Sequence, residues 1–161
     1  MRFFTRDREL SEEGWDLAMR EYHSHLAALA PSLPPAVLDL ATERNLHDGL
    51  IVSGTLLLGL RTLRMVLRCG DLQVGYYDLE LEYRGIDMAA LDIDGLAAIV
   101  RSPSHELVRD EVDAIRGTTF VHRLRFHPEG EIELRFESLC LPSSPREDRY
   151  LERPDDPFTL A

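Results

Sequence analysis

The sequence predicts an α+β domain in which an N-terminal helical pair packs on one face of an antiparallel sheet of about six strands. In the first 30 residues, apolar side chains recur at spacings of four and three, as along one face of a helix. From residue 46 onward, apolar and polar residues alternate, which is typical of half-buried strands. The alternating segments form two groups of three, separated by residues 86–105, and so indicate two three-stranded meanders. We assign residues 1–141 to a single domain and residues 142–161 to an extended tail packed on it.

The first predicted helix begins after Ser11, whose side chain can cap it, and ends near Ala30, because Pro31 cannot continue it. A shorter second helix is predicted near residues 36–44. We expect His23 and His25, which lie off the apolar stripe of the first helix, to be solvated. That stripe consists of Trp15, Met19, Tyr22, Leu26 and Leu29.

The first meander ends in a strand that carries acids on one side, with the sequence "YYDLELEYRG" at residues 76–85. When the apolar sides of this strand and of the preceding one are aligned, Arg68 lies opposite Asp78 and Arg64 lies opposite Glu82. We therefore expect a cross-strand ladder of charge pairs, each contributing about 0.2–1 kcal/mol. Binding of a metal by the acids of this strand is the less favoured interpretation, because their side chains do not converge.

The segment between the meanders contains a predicted short helix, capped by Asp87 or Asp94 and ending near Val100. In the second meander, we expect a three-residue loop at 128–130. Three apolar side chains are expected to anchor the C-terminal tail: Tyr150, Leu151 and Phe158.

The three-residue loop at 128–130 fixes the expected register of the hairpin formed by the last two predicted strands. It places Phe126 opposite Ile132 on the inner face of the sheet, and Arg125 opposite Glu133 on the outer face.

Composition excludes several functional classes. The net charge of −11 argues against binding to nucleic acid, and it favours either docking onto a basic protein or simply high solubility. All 18 basic residues are arginine. Without lysine there is no P-loop lysine, no Schiff base on a side chain and no Ser-x-x-Lys nucleophile.

Nothing in the sequence indicates a membrane span or a secretion signal, so we expect a cytoplasmic protein. In that compartment Cys69 and Cys140 are expected to be reduced, and a disulfide between them is the alternative.

Two short stretches contain the candidate site residues. The first is "LHDG" with His47 and Asp48, and the second is "RDEVD" with Asp110, Glu111 and Asp113. If these side chains met across the sheet together with a histidine of the next strand, they could form a metal or acid–base site. The alternatives are that Asp48 caps a turn and that this histidine, His122, is a hydrogen-bonded core residue. We expect no cofactor, because the common nucleotide, zinc and hydrolase motifs are absent from the sequence.

Four features together resemble uncharacterised bacterial families of small α+β domains, which are loosely similar to toxin-immunity proteins. These are "RFFT" near the start, the helix with Trp15 and Tyr22, "LHDG", and "GYYDLELEYRGI". The resemblance covers residues 2–140 and contains no catalytic signature. It implies a bacterial cytoplasmic protein that binds a basic toxin.

Three functional hypotheses follow. The leading one is a non-enzymatic protein-binding module with a basic partner. The second is an enzyme that uses the His/Asp/Glu residues named above. The third is a self-associating domain that pairs through an exposed strand edge.

Overall fold

The computed structural model describes residues 1–115, 118–150 and 152–161, and it shows an α+β fold with a mostly antiparallel sheet. The helices are α1 (Glu12–Leu29), α2 (Pro35–Thr42) and α3 (Ile93–Arg101). The strands are β1 (Gly49–Leu57), β2 (Thr62–Asp71), β3 (Gly75–Arg84), β4 (Glu106–Ala114), β5 (Phe120–His127), β6 (Glu131–Phe136), β7 (Ser138–Cys140), β8 (Ser143–Arg146) and β9 (Phe158–Leu160).

Both predicted meanders are present, and they are joined through β1 and β4 in the strand order β6-β5-β4-β1-β2-β3-β7. The described residues form nine strands, and the prediction of about six was too low. One reason is that the last predicted strand is divided at Glu137 into β6 and β7. The other is that the tail adds β8 beside β3 and β9, which runs parallel to β1.

The first and last strands of this order, β6 and β7, are consecutive in the chain, and the sheet therefore curls to bring its two ends together. Only Glu137 separates β6, which pairs with β5, from β7, which pairs with β3. Side chains from distant strands therefore meet inside the curl, where the rings of Tyr83 and Phe136 lie 5.1 Å apart. The apolar residues that alternate with polar ones along β2, β3, β5 and β6 are buried in this core: Leu63, Met65, Leu67, Leu79, Leu81, Tyr83, Leu124, Phe126, Leu134 and Phe136.

One of the two predicted registers is confirmed. In the β2–β3 hairpin, Arg68 pairs with Asp78 and Arg64 with Glu82, as expected.

The predicted register of the β5–β6 hairpin is wrong by two residues, because Leu124 pairs with Ile132 and Arg125 with Glu131. The turn lies one residue earlier in the chain than the predicted loop at 128–130. The amide of Phe126 donates to the carbonyl of Gly130 at 2.9 Å, and this hydrogen bond encloses residues 127–129. A shift of two residues leaves every side chain on its predicted face.

The helix boundaries follow the local sequence. The hydroxyl of Ser11 accepts a hydrogen bond from the amide of Gly14 at 3.1 Å, which confirms the predicted cap of α1. The cap of α3 is Asp92, not Asp87 or Asp94. Asp94 already lies inside the first turn of α3, where a side chain cannot cap its own helix.

The buried residues of the two N-terminal helices belong to different apolar clusters, whereas the sequence predicts that both helices pack on one face of the sheet. Val37 and Leu40 of α2 join the main core inside the sheet. Tyr22 and Leu26 of α1 belong to a second cluster together with Phe3 and Phe4 of the N-terminal segment. This segment supplies an apolar surface for α1 that the alternation pattern does not reveal.

The tail is anchored by Phe158, which is buried against Gly54 of β1 and Val100 of α3. Tyr150 is 85% exposed, so the expectation that it anchors the tail is wrong, and Leu151 lies outside the described residues.

Cys69 and Cys140 are free thiols, and burial raises the pKa of Cys69 to about 12. In the described part of the chain, no helix is long and apolar enough to cross a membrane.

Candidate functional site

The five predicted site residues lie in three different places. His47 and Asp48 are exposed beside the first residue of β1. Asp110 points toward the interior of the sheet, where it contacts His122. Glu111 and Asp113 lie on the opposite face of β4 and bind the N-terminal segment.

Asp110 takes part in a buried chain of hydrogen bonds. Its carboxylate lies 3.1 Å from Nε2 of His122, and Nδ1 of His122 lies 2.7 Å from the hydroxyl of Tyr83. His122 and Tyr83 are fully buried, and burial raises the pKa of Tyr83 well above its ordinary value. His122 is therefore a hydrogen-bonded core residue, and no substrate can reach its ring without opening the core.

Glu111 is fully buried and holds the start of the described chain. Its two carboxylate oxygens accept hydrogen bonds from the backbone amides of Arg2 at 2.7 Å, Phe3 at 2.6 Å and Phe4 at 2.7 Å. These hydrogen bonds compensate for the burial of a charged carboxylate, so the role of Glu111 is to hold the N-terminal segment in place.

Asp113 fastens the same segment and α1. It accepts one hydrogen bond from Nη1 of Arg2 and lies 2.9 Å from Nε2 of His25, so the expectation that His25 is solvated is wrong. Burial alone would raise the pKa of Asp113, but hydrogen bonds from the Ala114 amide, Arg2 and His25 outweigh it and lower the pKa.

His47 and Asp48 form an exposed pair, with 2.9 Å between Nδ1 and Oδ1. Asp48 has a φ of +62°, which a short polar side chain at a turn tolerates. No group of three or more His, Cys, Asp or Glu among the described residues is arranged to hold a metal ion. The pair instead lines a surface depression.

The strongest candidate for a binding site is a groove beside the β2–β3 hairpin, made of two adjoining depressions that share Tyr76 and Arg149. We call it the hairpin groove. The larger depression has a volume of about 690 Å³ and is lined by Leu50, Leu72, Tyr76, Pro103, Glu106, Asp148, Arg149, Tyr150 and Arg153. The smaller has a volume of about 310 Å³ and is lined by Asn45, His47, Asp48, Gly70, Asp71, Val74, Tyr76, Tyr77 and Arg149.

Apolar side chains project from the rim of the hairpin groove. Leu72 is 91% exposed, Tyr150 is 85% exposed and Val74 is 76% exposed. Exposed apolar groups that cluster on a charged protein mark contact surfaces. The sequence signal for this patch is the turn between two glycines, "GDLQVG", because a turn that includes two large apolar residues exposes them.

Carboxylates outnumber cations around the groove. Four acids line the two depressions, and Arg149 and Arg153 are the arginines among their lining residues. The acids are Asp48, Asp71, Glu106 and Asp148. Hydrogen bonds from the amides of Val74 and Gln73 lower the pKa of Asp71 and favour its ionised form.

One wall of the groove is formed by the tail and is fastened by an arginine of β2. Nη1 of Arg68 donates to the carbonyls of Asp148 at 2.9 Å and Tyr150 at 2.7 Å. Nε of Arg68 donates to Asp78 at 2.5 Å. Because Arg68 and Asp78 are buried, the backbone on both sides of Arg149 has a fixed attachment to the sheet.

Comparisons with protein-family models, with curated proteins and with solved structures gave no match to this chain.

Proposed function

We propose that this chain is a non-enzymatic protein-binding module and that it binds a basic partner protein through the hairpin groove. The observation that carries the proposal is the cluster of exposed apolar side chains on the rim of the hairpin groove, formed by Leu72, Val74 and Tyr150. Burial of such side chains by a partner would contribute most of the affinity, since interfaces depend on a few apolar and aromatic anchors.

Charge supports a basic partner over a neutral one. The net charge of −11 attracts basic proteins over long range, and the excess of carboxylates around the groove directs them to this surface. The sharpest version of the proposal is an immunity-type protein in the bacterial cytoplasm that neutralises a basic toxin, as the sequence resemblance implies.

The geometry gives the enzyme hypothesis less support. The five candidate residues lie on the surface, inside the sheet and beneath the N-terminal segment, and Glu111 and Asp110 are already occupied by internal hydrogen bonds. A catalytic site requires groups that converge on one accessible point.

The test compares capture of partners by the wild type and by a variant of the groove rim. Purified protein is immobilised and exposed to a lysate of the organism that carries the gene, at about 50 mM and about 500 mM salt. We expect a basic protein to be retained at low salt, to be released at high salt, and to be lost from the Leu72→Ser/Val74→Ser variant.

The matched control is Leu10→Ser, because Leu10 is 84% exposed and lies outside the groove lining. This control should retain the partner as the wild type does. Equal retention by the rim variant and the wild type would refute the groove as the binding surface. A wild-type dimer in light scattering that the rim variant cannot form would indicate self-association in place of a foreign partner.

A further inference from the structure

We infer that the hairpin groove contains a subsite for an arginine side chain of the partner, and that the chain's own Arg149 occupies this subsite in the free protein. The inference rests on the proposed function, because it describes the partner of the same groove. It identifies that partner as a segment in which arginine stands next to an apolar residue.

The first support is the position of the Arg149 side chain. It lines both depressions at their junction and is 44% exposed. A single nitrogen, Nη2, donates to the carbonyl of Asp48 at 3.0 Å and to Oε1 of Glu106 at 3.2 Å. Arg149 thus contacts two acceptors that come from different elements, the turn before β1 and the start of β4.

The second support is the chemistry of these acceptors. A carbonyl and a carboxylate that meet at one point suit a cationic side chain with at least two N–H donors, and Nη2 of the guanidinium supplies both. The carboxylates of Asp48 and Asp71 line the smaller depression beside this point. Leu50, Leu72 and Tyr76 line the larger one, so an apolar neighbour of the bound arginine would have a surface to contact.

The third support is that the Arg149 side chain can leave without detaching the tail. Arg68 holds the carbonyls of Asp148 and Tyr150, the residues on either side of Arg149. The contact between Arg149 and Glu106 is itself exposed, and exposed ion pairs are weak. A partner's arginine could therefore displace Arg149 while the groove wall stays in place.

If Arg149 competes for the subsite, removing it should increase the affinity for an arginine ligand. The probe is the dipeptide acetyl-Leu-Arg-amide, titrated into ¹⁵N-labelled protein and followed through the backbone amides of Asp48, Leu72 and Glu106. We expect the Arg149→Ala variant to bind the probe at least about threefold more tightly than the wild type. Adding Glu106→Gln to that variant should abolish the gain.

Two controls accompany this titration. The matched peptide acetyl-Leu-citrulline-amide has nearly the same shape without the charge, and it should show no gain with Arg149→Ala. The matched variant Arg146→Ala removes an arginine that binds Asp78 outside the groove lining, and it should leave the affinity for the arginine peptide unchanged. An unchanged thermal midpoint shows that each variant is folded.

The outcomes separate this inference from the proposed function. Equal or weaker binding of the arginine peptide by folded Arg149→Ala overturns the subsite, while loss of the native partner from the rim variant still supports the groove. A gain with Arg149→Ala supports the subsite even where the rim variant keeps its partner, in which case the proposed docking surface is wrong. An equal gain for the citrulline peptide would also overturn the inference, because the carboxylates would then not select charge.

Discussion

At the scale of single residues, most acidic side chains on the sheet surface form ion pairs with neighbouring arginines. Glu82 is an example, since burial would raise its pKa but hydrogen bonds from Arg84 and Arg64 outweigh this and lower it. The sequence predicts such pairs well, because the alternation fixes which side chains share a face and the hairpin fixes which ones are opposite.

The contacts of Glu111 could not be predicted in the same way. Its partners are backbone amides of residues 2–4, more than 100 positions away in the chain. The alternation within a strand carries no information about such a distant contact. Two adjacent acids, Asp110 and Glu111, are equally compatible with a metal site.

Asp113 should make stability depend on pH. Its folded-state pKa is lowered below the unfolded value of about 3.9, so the unfolded chain binds more protons in acid. The stabilising contribution is complete above about pH 5 and is lost as the pH falls through the lowered folded-state pKa. We expect Asp113→Asn to flatten the dependence of the urea midpoint on pH between about pH 5 and pH 3, because the amide does not titrate.

The control for this experiment is Asp16→Asn, since Asp16 is exposed on α1. It should keep the wild-type dependence on pH. A wild-type slope that survives in Asp113→Asn would show that other carboxylates cause the acid sensitivity.

The buried pair of Tyr83 and His122 should behave as a coupled unit. His122→Leu leaves the hydroxyl of Tyr83 and the carboxylate of Asp110 without this partner, and should destabilise by about 2–4 kcal/mol. Tyr83→Phe should destabilise by about 1–2 kcal/mol. In urea denaturation the double variant should lose about 1 kcal/mol less than the two single variants together. Additive losses would mean that the 2.7 Å contact contributes little to stability.

At the scale of elements, the helices and the first hairpin could be predicted because their signals are local. A cap, a proline and a two-residue alternation each act within a few positions. The β5–β6 register was missed because the position of the turn decides it, and residues 127–129 form the turn one residue before the predicted loop at 128–130. The groove was missed because its lining residues come from four separate stretches of the chain.

The two glycines that flank the β2–β3 turn should differ in their tolerance of alanine. Both have positive φ, +95° at Gly70 and +82° at Gly75. A Cβ at Gly75 would meet open space, so Gly75→Ala should destabilise by about 1 kcal/mol through backbone strain alone. A Cβ at Gly70 would lie 2.0 Å from the carbonyl oxygen of Gly75, so Gly70→Ala should destabilise by about 3 kcal/mol or more. Thermal denaturation of the two variants checks this order, and equal losses would contradict it.

At the scale of the whole molecule, the tail is part of the sheet. It contributes β8 to the edge of β3 and β9 to the edge of β1, and it also forms one wall of the groove. The sequence indicated that the tail packs on the domain. It did not indicate two more strands, because three or four residues between prolines and charges carry too little alternation to be recognised.

Phe158 should therefore be important for global stability although it lies close to the end of the described chain. It is 3% exposed, and Phe158→Ala should lower the free energy of unfolding by about 3–5 kcal/mol. The matched control is Leu160→Ala in the same strand, since Leu160 is 53% exposed and its truncation should change stability by at most about 0.5 kcal/mol. Chemical denaturation measures both, and similar values for the two variants would show that β9 does not anchor the tail.

The parallel pairing of β9 with β1 also has a consequence for synthesis on the ribosome. Gly54 of β1 is translated about 100 residues before its partner Phe158. At about 5–20 residues per second, the nascent chain waits about 5–20 seconds with this backbone edge unpaired. During that interval the edge is a natural binding surface for a chaperone, and it becomes protected only when the last strand emerges.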